Sequence, residues 1–98
     1  MTIEKHRDGS ALTLAPEGRL DTITSPELEK ALKESLDGVS ELTLDFEKLD
    51  YISSAGLRVL LAAQKIMNSQ GEMRIANVNE IIREVFDVTG FSDILSIE

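Results

Sequence analysis

Across residues 42–76 the spacing of apolar side chains changes from every second residue to a helical repeat and back again. Few folds accommodate that succession. Leu42, Leu44 and Phe46 share one face of residues 41–46, the alternation of a half-buried strand. From about Ala55 or Gly56 to Ser69, Leu57, Leu60, Leu61, Gln64 and Met67 recur at helical spacing, and Val59, Ala63 and Ile66 widen the apolar side. A helix this apolar is expected to be sandwiched in the core. Gln70-Gly71 stops it, and Met73 and Ile75 alternate in a strand over residues 72–77. Strand, helix, strand is a βαβ unit, which crosses over right-handed and leaves its strands parallel.

The flanks extend this unit. Residues 3–7 and 11–14 read as a β-hairpin around Asp8-Gly9, the pair that a type I′ turn prefers. Pro16-Glu17-Gly18 predicts a bulge or bend, because proline cannot donate to a central ladder. A first helix is capped by Thr24 or Ser25, carries Pro26 in its first turn and ends at Asp37-Gly38. Its stripe is Leu28, Ala31, Leu32, Ser35 and Leu36, and Glu29 and Lys33 pair on the wet face. Residues 47–52 read as a loop. A last helix opens near Asn77 or Asn79, with Val78, Ile81, Ile82, Val85 and Phe86 as its apolar face. Gly90 stops it, and Phe91, Ile94, Leu95 and Ile97 form an apolar tail. The expected architecture is one α/β domain over residues 1–98. Its mixed sheet has four to five strands and three to four helices pack on it. Sites in such sheets collect beyond the carboxyl ends of strands, here residues 21–25, 47–54 and 77–79.

Composition narrows the function classes. A net charge of −8 argues against direct nucleic-acid binding and against adhesion to an anionic membrane. No apolar run is long enough to span a bilayer, and no secretory leader is visible. Cysteine is absent, which removes disulfides and thiolate metal sites and fits a reducing compartment. A cytoplasmic address follows by elimination. Phe46, Tyr51, Phe86 and Phe91 are the only aromatics and make no stacking platform for bases.

The segment Ile52-Ser53-Ser54-Ala55-Gly56 places two hydroxyls between a strand-like run and a helix start. Helix N-termini carry unsatisfied N–H groups and a partial positive charge. A phosphate on Ser54 would meet the N–H groups of Ala55, Gly56 and Leu57, and Gly56 would leave room for its approach. The plainer reading makes either serine an ordinary helix cap. A nucleophilic serine needs a base, yet His6 is the only histidine and lies in the first hairpin. The Gly-x-Ser-x-Gly elbow lacks its first glycine. Asp45 and Asp50 are isolated carboxylates rather than a metal-ligand set, and every glycine is solitary, so no phosphate-binding glycine loop is present. Neither an enzyme nor a cofactor is expected.

The run from Leu49 to Leu60, LDYISSAGLRVL, resembles the signature of STAS domains, specifically bacterial anti-sigma factor antagonists. Glu17-Gly18-Arg19-Leu20-Asp21 is similar to the family's Gly-x-Leu-Asp segment, and Asp87-Val88-Thr89-Gly90-Phe91 to its Thr-Gly-Leu helix ending, with Phe in place of Leu. A monomer is expected, and the resemblance implies that, unmodified, it binds an anti-sigma factor serine kinase and frees a sigma factor. The kinase uses ATP to phosphorylate one serine and abolish binding, and a metal-dependent serine phosphatase resets the protein. Matched by the Gly-Leu pair, the acceptor is Ser54, with Ser53 as second choice because Ser53 stands where well-known members carry Asp. The partner-facing set is Asp21, Thr22, Ser53, Ser54, Ala55, Gly56 and Arg58. Arg58 lies one turn from Ser54, placed to pair with a phosphate or else an ordinary exposed residue. The alternative function is an unphosphorylated STAS adaptor docking in a transporter or signalling complex; an enzyme with a small substrate is a third reading.

Overall fold

A computed structural model describes all 98 residues. The chain runs β1 (Thr2–Asp8), β2 (Ala11–Leu20), α1 (Ser25–Ser35), β3 (Glu41–Asp45), β4 (Leu49–Ile52), α2 (Ser54–Asn68), β5 (Glu72–Ala76), α3 (Glu80–Thr89) and a short 3-10 turn (Phe91–Asp93). β1 and β2 form the antiparallel hairpin, with Asp8 opposite Ala11. The two loop residues are therefore Gly9 and Ser10, not Asp8 and Gly9. Gly9 has φ +61° and Ser10 has no positive φ, the signature of a II′-type turn with glycine first.

β2 is the centre of the mixed sheet. Its first half pairs in parallel with β3 (Leu12 with Leu42, Leu14 with Leu44), and β3 pairs in parallel with β5. Its last residues, Gly18 to Leu20, pair in parallel with β4. Residues 49–52, expected as a loop, are thus a fifth strand. Their burial is buried, exposed, half-buried, buried, so no clean alternation marks them, and pairing with β2 makes the strand. Pro16 lies where β2 changes partner. Gly18 N–H donates to Lys48 O, so the Pro16 nitrogen, two residues earlier, faces the same edge between β3 and β4. The predicted bulge sits just beyond, between Gly18 and Arg19.

Along β2, β3 and β5 buried residues alternate with half-buried ones, so the helices cover one face. The core joins Leu12, Leu14 and Leu20 of β2 to Leu42, Leu44, Leu28, Leu32, Leu60, Met67, Ile75, Ile82 and Phe86. α2 buries one broad side (Leu57, Val59, Leu60, Ala63, Met67) but exposes Ile66, so it is covered on one side and not sandwiched. On α3, Ile82 and Phe86 are sealed while Ile81 is exposed, because the core reaches only part of the apolar arc. Asn79, not Asn77, caps α3, its side chain accepting from Ile82 N at 2.8 Å. Gly90, in the left-handed region, ends α3, and Phe91 packs back on the core. Arg7 from β1 donates to Ser35 O and Asp37 O at the carboxyl end of α1, where a cation is favoured.

Candidate functional site

Two strand ends meet at one rim. β2 ends at Leu20 and β4 at Ile52, and Ser53 N donates to Leu20 O at 2.8 Å. Directly behind the junction lies Gly56, buried. A Cβ there would stand 2.7 Å from Ile52 Cγ1 and 2.9 Å from Leu20 Cγ. Gly56 therefore serves the close packing of α2 on the strand ends. The expectation that it clears a path for phosphate is corrected: the missing side chain points into the core.

The two serines have different surroundings. Ser53 holds the N-cap position of α2 with extended backbone (φ −100°, ψ 178°), yet its side chain makes no capping bond and its oxygen is buried without a partner. Ser54 is the first helical residue and is exposed. Neither hydroxyl caps the helix. Leu57 N donates to Ser53 O, whereas the N–H groups of Ser54, Ala55 and Gly56 meet no protein acceptor. The amino end of α2 thus keeps its partial positive charge unanswered. Arg58, exposed on the next turn, forms no ion pair. It lines a shallow groove with Thr22 and Ser25 of the neighbouring loop and helix and with Ala55. Ala55 itself is half-buried.

The β2–α1 loop is braced from within. Asp21 Oδ1 accepts from Ile23 N (3.0 Å) and Thr24 N (3.1 Å). Thr24 Oγ1 accepts from Asp21 N at 2.9 Å and donates to Arg19 O at 2.6 Å. The Thr24 N–H bond, with smaller help from Ile23 N–H and Arg19, holds the Asp21 carboxyl below its usual 3.8. Asp21 is half-buried and its Oδ1 is engaged inside the loop, while Thr22 and Ile23 are the exposed residues. Ile23 was absent from the sequence-derived set. The pattern Asp-x-x-Thr, which closes such a brace and turns the residues between outward, was the available signal. Arg19, beside it, lies over the Tyr51 ring at 4.5 Å.

The other candidates lie elsewhere. His6 pairs with Thr13 on the hairpin, and Thr13 is seven residues along β2 from the rim, a separation of roughly 20 Å at strand rise. No base approaches Ser54. Asp45 accepts from Glu47 N and from Asn77 Nδ2, a loop brace. No group of three or more histidines and carboxylates is placed to hold a metal ion, and no helix is long and apolar enough to cross a membrane.

Comparison with known proteins gives a consistent result. The STAS domain family matches residues 2–98. BtrV of Bordetella bronchiseptica is 39% identical over 83 residues, covering 83% of this chain and 72% of that protein. The anti-sigma-B factor antagonist of Staphylococcus aureus is 32% identical over 82 residues, covering 82% and 76%. Among solved structures, an anti-sigma factor antagonist from Mycobacterium paratuberculosis superposes with a TM-score of 0.88 at 20% identity, covering 98% of this chain and 83% of that one. The Bacillus cell fate determinant SpoIIAA in its phosphorylated form superposes at 0.76 and 16% identity, covering 99% and 91%.

Proposed function

Because the chain belongs to the STAS domain family, we propose that it is an anti-sigma factor antagonist switched by phosphorylation of Ser54. Unmodified, it binds an anti-sigma factor serine kinase across the rim and releases the sigma factor that the kinase held. The kinase transfers the γ-phosphoryl of ATP to Ser54 Oγ, which loses its proton as ADP leaves. A serine phosphatase restores the hydroxyl. The role is one of binding and not of catalysis by this chain.

One observation carries the reading: of two adjacent serines, only Ser54 is exposed, and it sits on an amino end of α2 that no side chain caps. A dianion there is favoured by the helix dipole by about 0.5–1 kcal/mol and meets no carboxylate of its own turn. The fold accepts the charge, and a partner seated on the rim does not. Relatives named anti-sigma factor antagonists support the partner class, and a phosphorylated form of SpoIIAA supports the compatibility of this fold with phosphate.

The test is intact mass after incubation with candidate anti-sigma factor kinases and ATP, with fragmentation to place the added group. Ser54→Asp should abolish kinase binding and leave the thermal melt nearly unchanged, and Ser54→Ala should bind and stay unmodified. Tight binding by Ser54→Asp refutes the switch. The adaptor reading has Ser53 in its favour, standing where the resemblance expects Asp; it requires that no kinase modifies Ser54.

A further inference from the structure

We propose that Ile23 is the apolar anchor of the docking surface, inserting into an apolar pocket of the anti-sigma factor kinase beside the Ser54 contact. The proposal rests on the reading above and adds a residue to it that neither the motif nor the phosphate chemistry assigns.

Ile23 is the most exposed large hydrophobic residue of the molecule, at 83%. Its setting is not a loose loop tip. Its own N–H is held by Asp21 Oδ1, the next N–H by the same oxygen, and the Thr24 hydroxyl ties the loop to both Asp21 N and Arg19 O. Ser25 N donates to Asp21 O at 2.8 Å, closing the loop onto α1. The backbone of residue 23 is therefore fixed before any partner arrives. A β-branched side chain adds few rotamers to be frozen on binding. A rigid, protruding apolar group with little entropy to lose is the profile of an interface hot spot.

Position supplies the occupant. Thr22, next to Ile23, shares one groove with Ala55 and Arg58 of α2, so the braced loop and the Ser54 turn form one continuous surface. A partner close enough to Ser54 to phosphorylate it covers that groove and reaches Ile23. The groove carries two charges of opposite sign, Glu29 and Arg58, while Thr22, Ile23 and Ala55 are neutral and Asp21 has one oxygen engaged within its loop. The part of the kinase that receives Ile23 is an apolar pocket, because the side chain that protrudes is itself apolar. In this arrangement Asp21 is a positioning residue.

The probe is the anti-sigma factor kinase that phosphorylates Ser54, titrated by calorimetry against the full chain. Ile23→Ser should weaken binding about 30-fold, the ratio typical of a hot-spot truncation, with an unchanged melting temperature. Ile23→Val should restore most of the affinity, and Val88→Ser, at a similarly exposed apolar position of α3 (79%), should stay within about threefold of the wild type, as is usual outside a hot spot. The loss should persist in high salt, as an apolar contact requires. An Ile23→Ser protein that binds within about threefold of the wild type overturns the anchor and leaves the phosphorylation switch standing. A wild-type chain that binds no such kinase overturns the switch itself, and the anchor with it.

Discussion

Replacing Gly56 with alanine separates two roles for this residue. If glycine is there to admit a phosphate, the variant should be as stable as the wild type and a poorer kinase substrate. The structure points the other way. The new methyl would lie 2.7 Å from Ile52 Cγ1, 2.9 Å from Leu20 Cγ and 3.0 Å from Leu20 Cδ2. Ile52 and Leu20 are 1% and 0% exposed, so neither can swing into solvent to make room. Overpacking of this kind costs about 1–3 kcal/mol. Alanine returns up to about 1 kcal/mol of helix propensity, less at the third position of a helix than in its interior. The net is a destabilisation of about 1–2 kcal/mol, which for a domain of this size lowers Tm by about 5–15 °C. Thermal melts by circular dichroism read this directly. Hydrogen exchange at the Ser53 amide, which donates to Leu20 O, should speed up in parallel. A variant that melts at or above the wild-type temperature would show that the strand ends yield freely, and would refute the packing argument.

Two further outcomes follow from the loop and the last helix. Bonds from Thr24 and Ile23 N–H lower the folded pKa of Asp21 below 3.8, so its ionised form stabilises the fold above that value and the gain is lost as pH falls through the depressed folded value. Asp21→Asn keeps an acceptor but no charge. The urea midpoint of the variant should therefore fall less steeply than that of the wild type below pH 3.8; parallel slopes would refute the assignment. Asn79→Ala removes the cap on Ile82 N and the side-chain donor to Leu49 O and Asp50 O, and should cost about 1–2 kcal/mol in chemical denaturation. Asn79→Asp, which keeps the cap and loses the donor, should fall between; equality with Asn79→Ala would mean that the cap contributes nothing.

The βαβ unit was legible because its signal is local. Leu42, Leu44 and Phe46, then Leu57, Leu60 and Met67, then Met73 and Ile75 declare their own periods, and all are buried. β4 was not legible. Four residues with Leu49 and Ile52 at the ends and Asp50 and Tyr51 between carry no period, and the strand exists because the far half of β2 supplies a ladder. The hairpin turn was misplaced by one residue for a related reason, since the cross-strand register from Thr2–Glu17 to Asp8–Ala11 decides which pair lies at the tip. Ile81 and Ile66 fit their helices' apolar stripes, yet whether a stripe residue is covered depends on how far the neighbouring element reaches.

The amino-acid sequence alone determined the order of elements, the parallel crossover, the serine turn at the head of a helix and the family resemblance, because each is written in the spacing of near neighbours along the chain. Tertiary structure alone decided which hydroxyl faces outward, that Gly56 answers to Leu20 and Ile52, and that Asp21 is engaged within its loop while Ile23 stands clear. Those outcomes depend on residues brought together by pairing of β2 with β4 and by packing of α2 against their ends. The distance of closest approach between such segments is fixed by the whole sheet, and no local pattern encodes it.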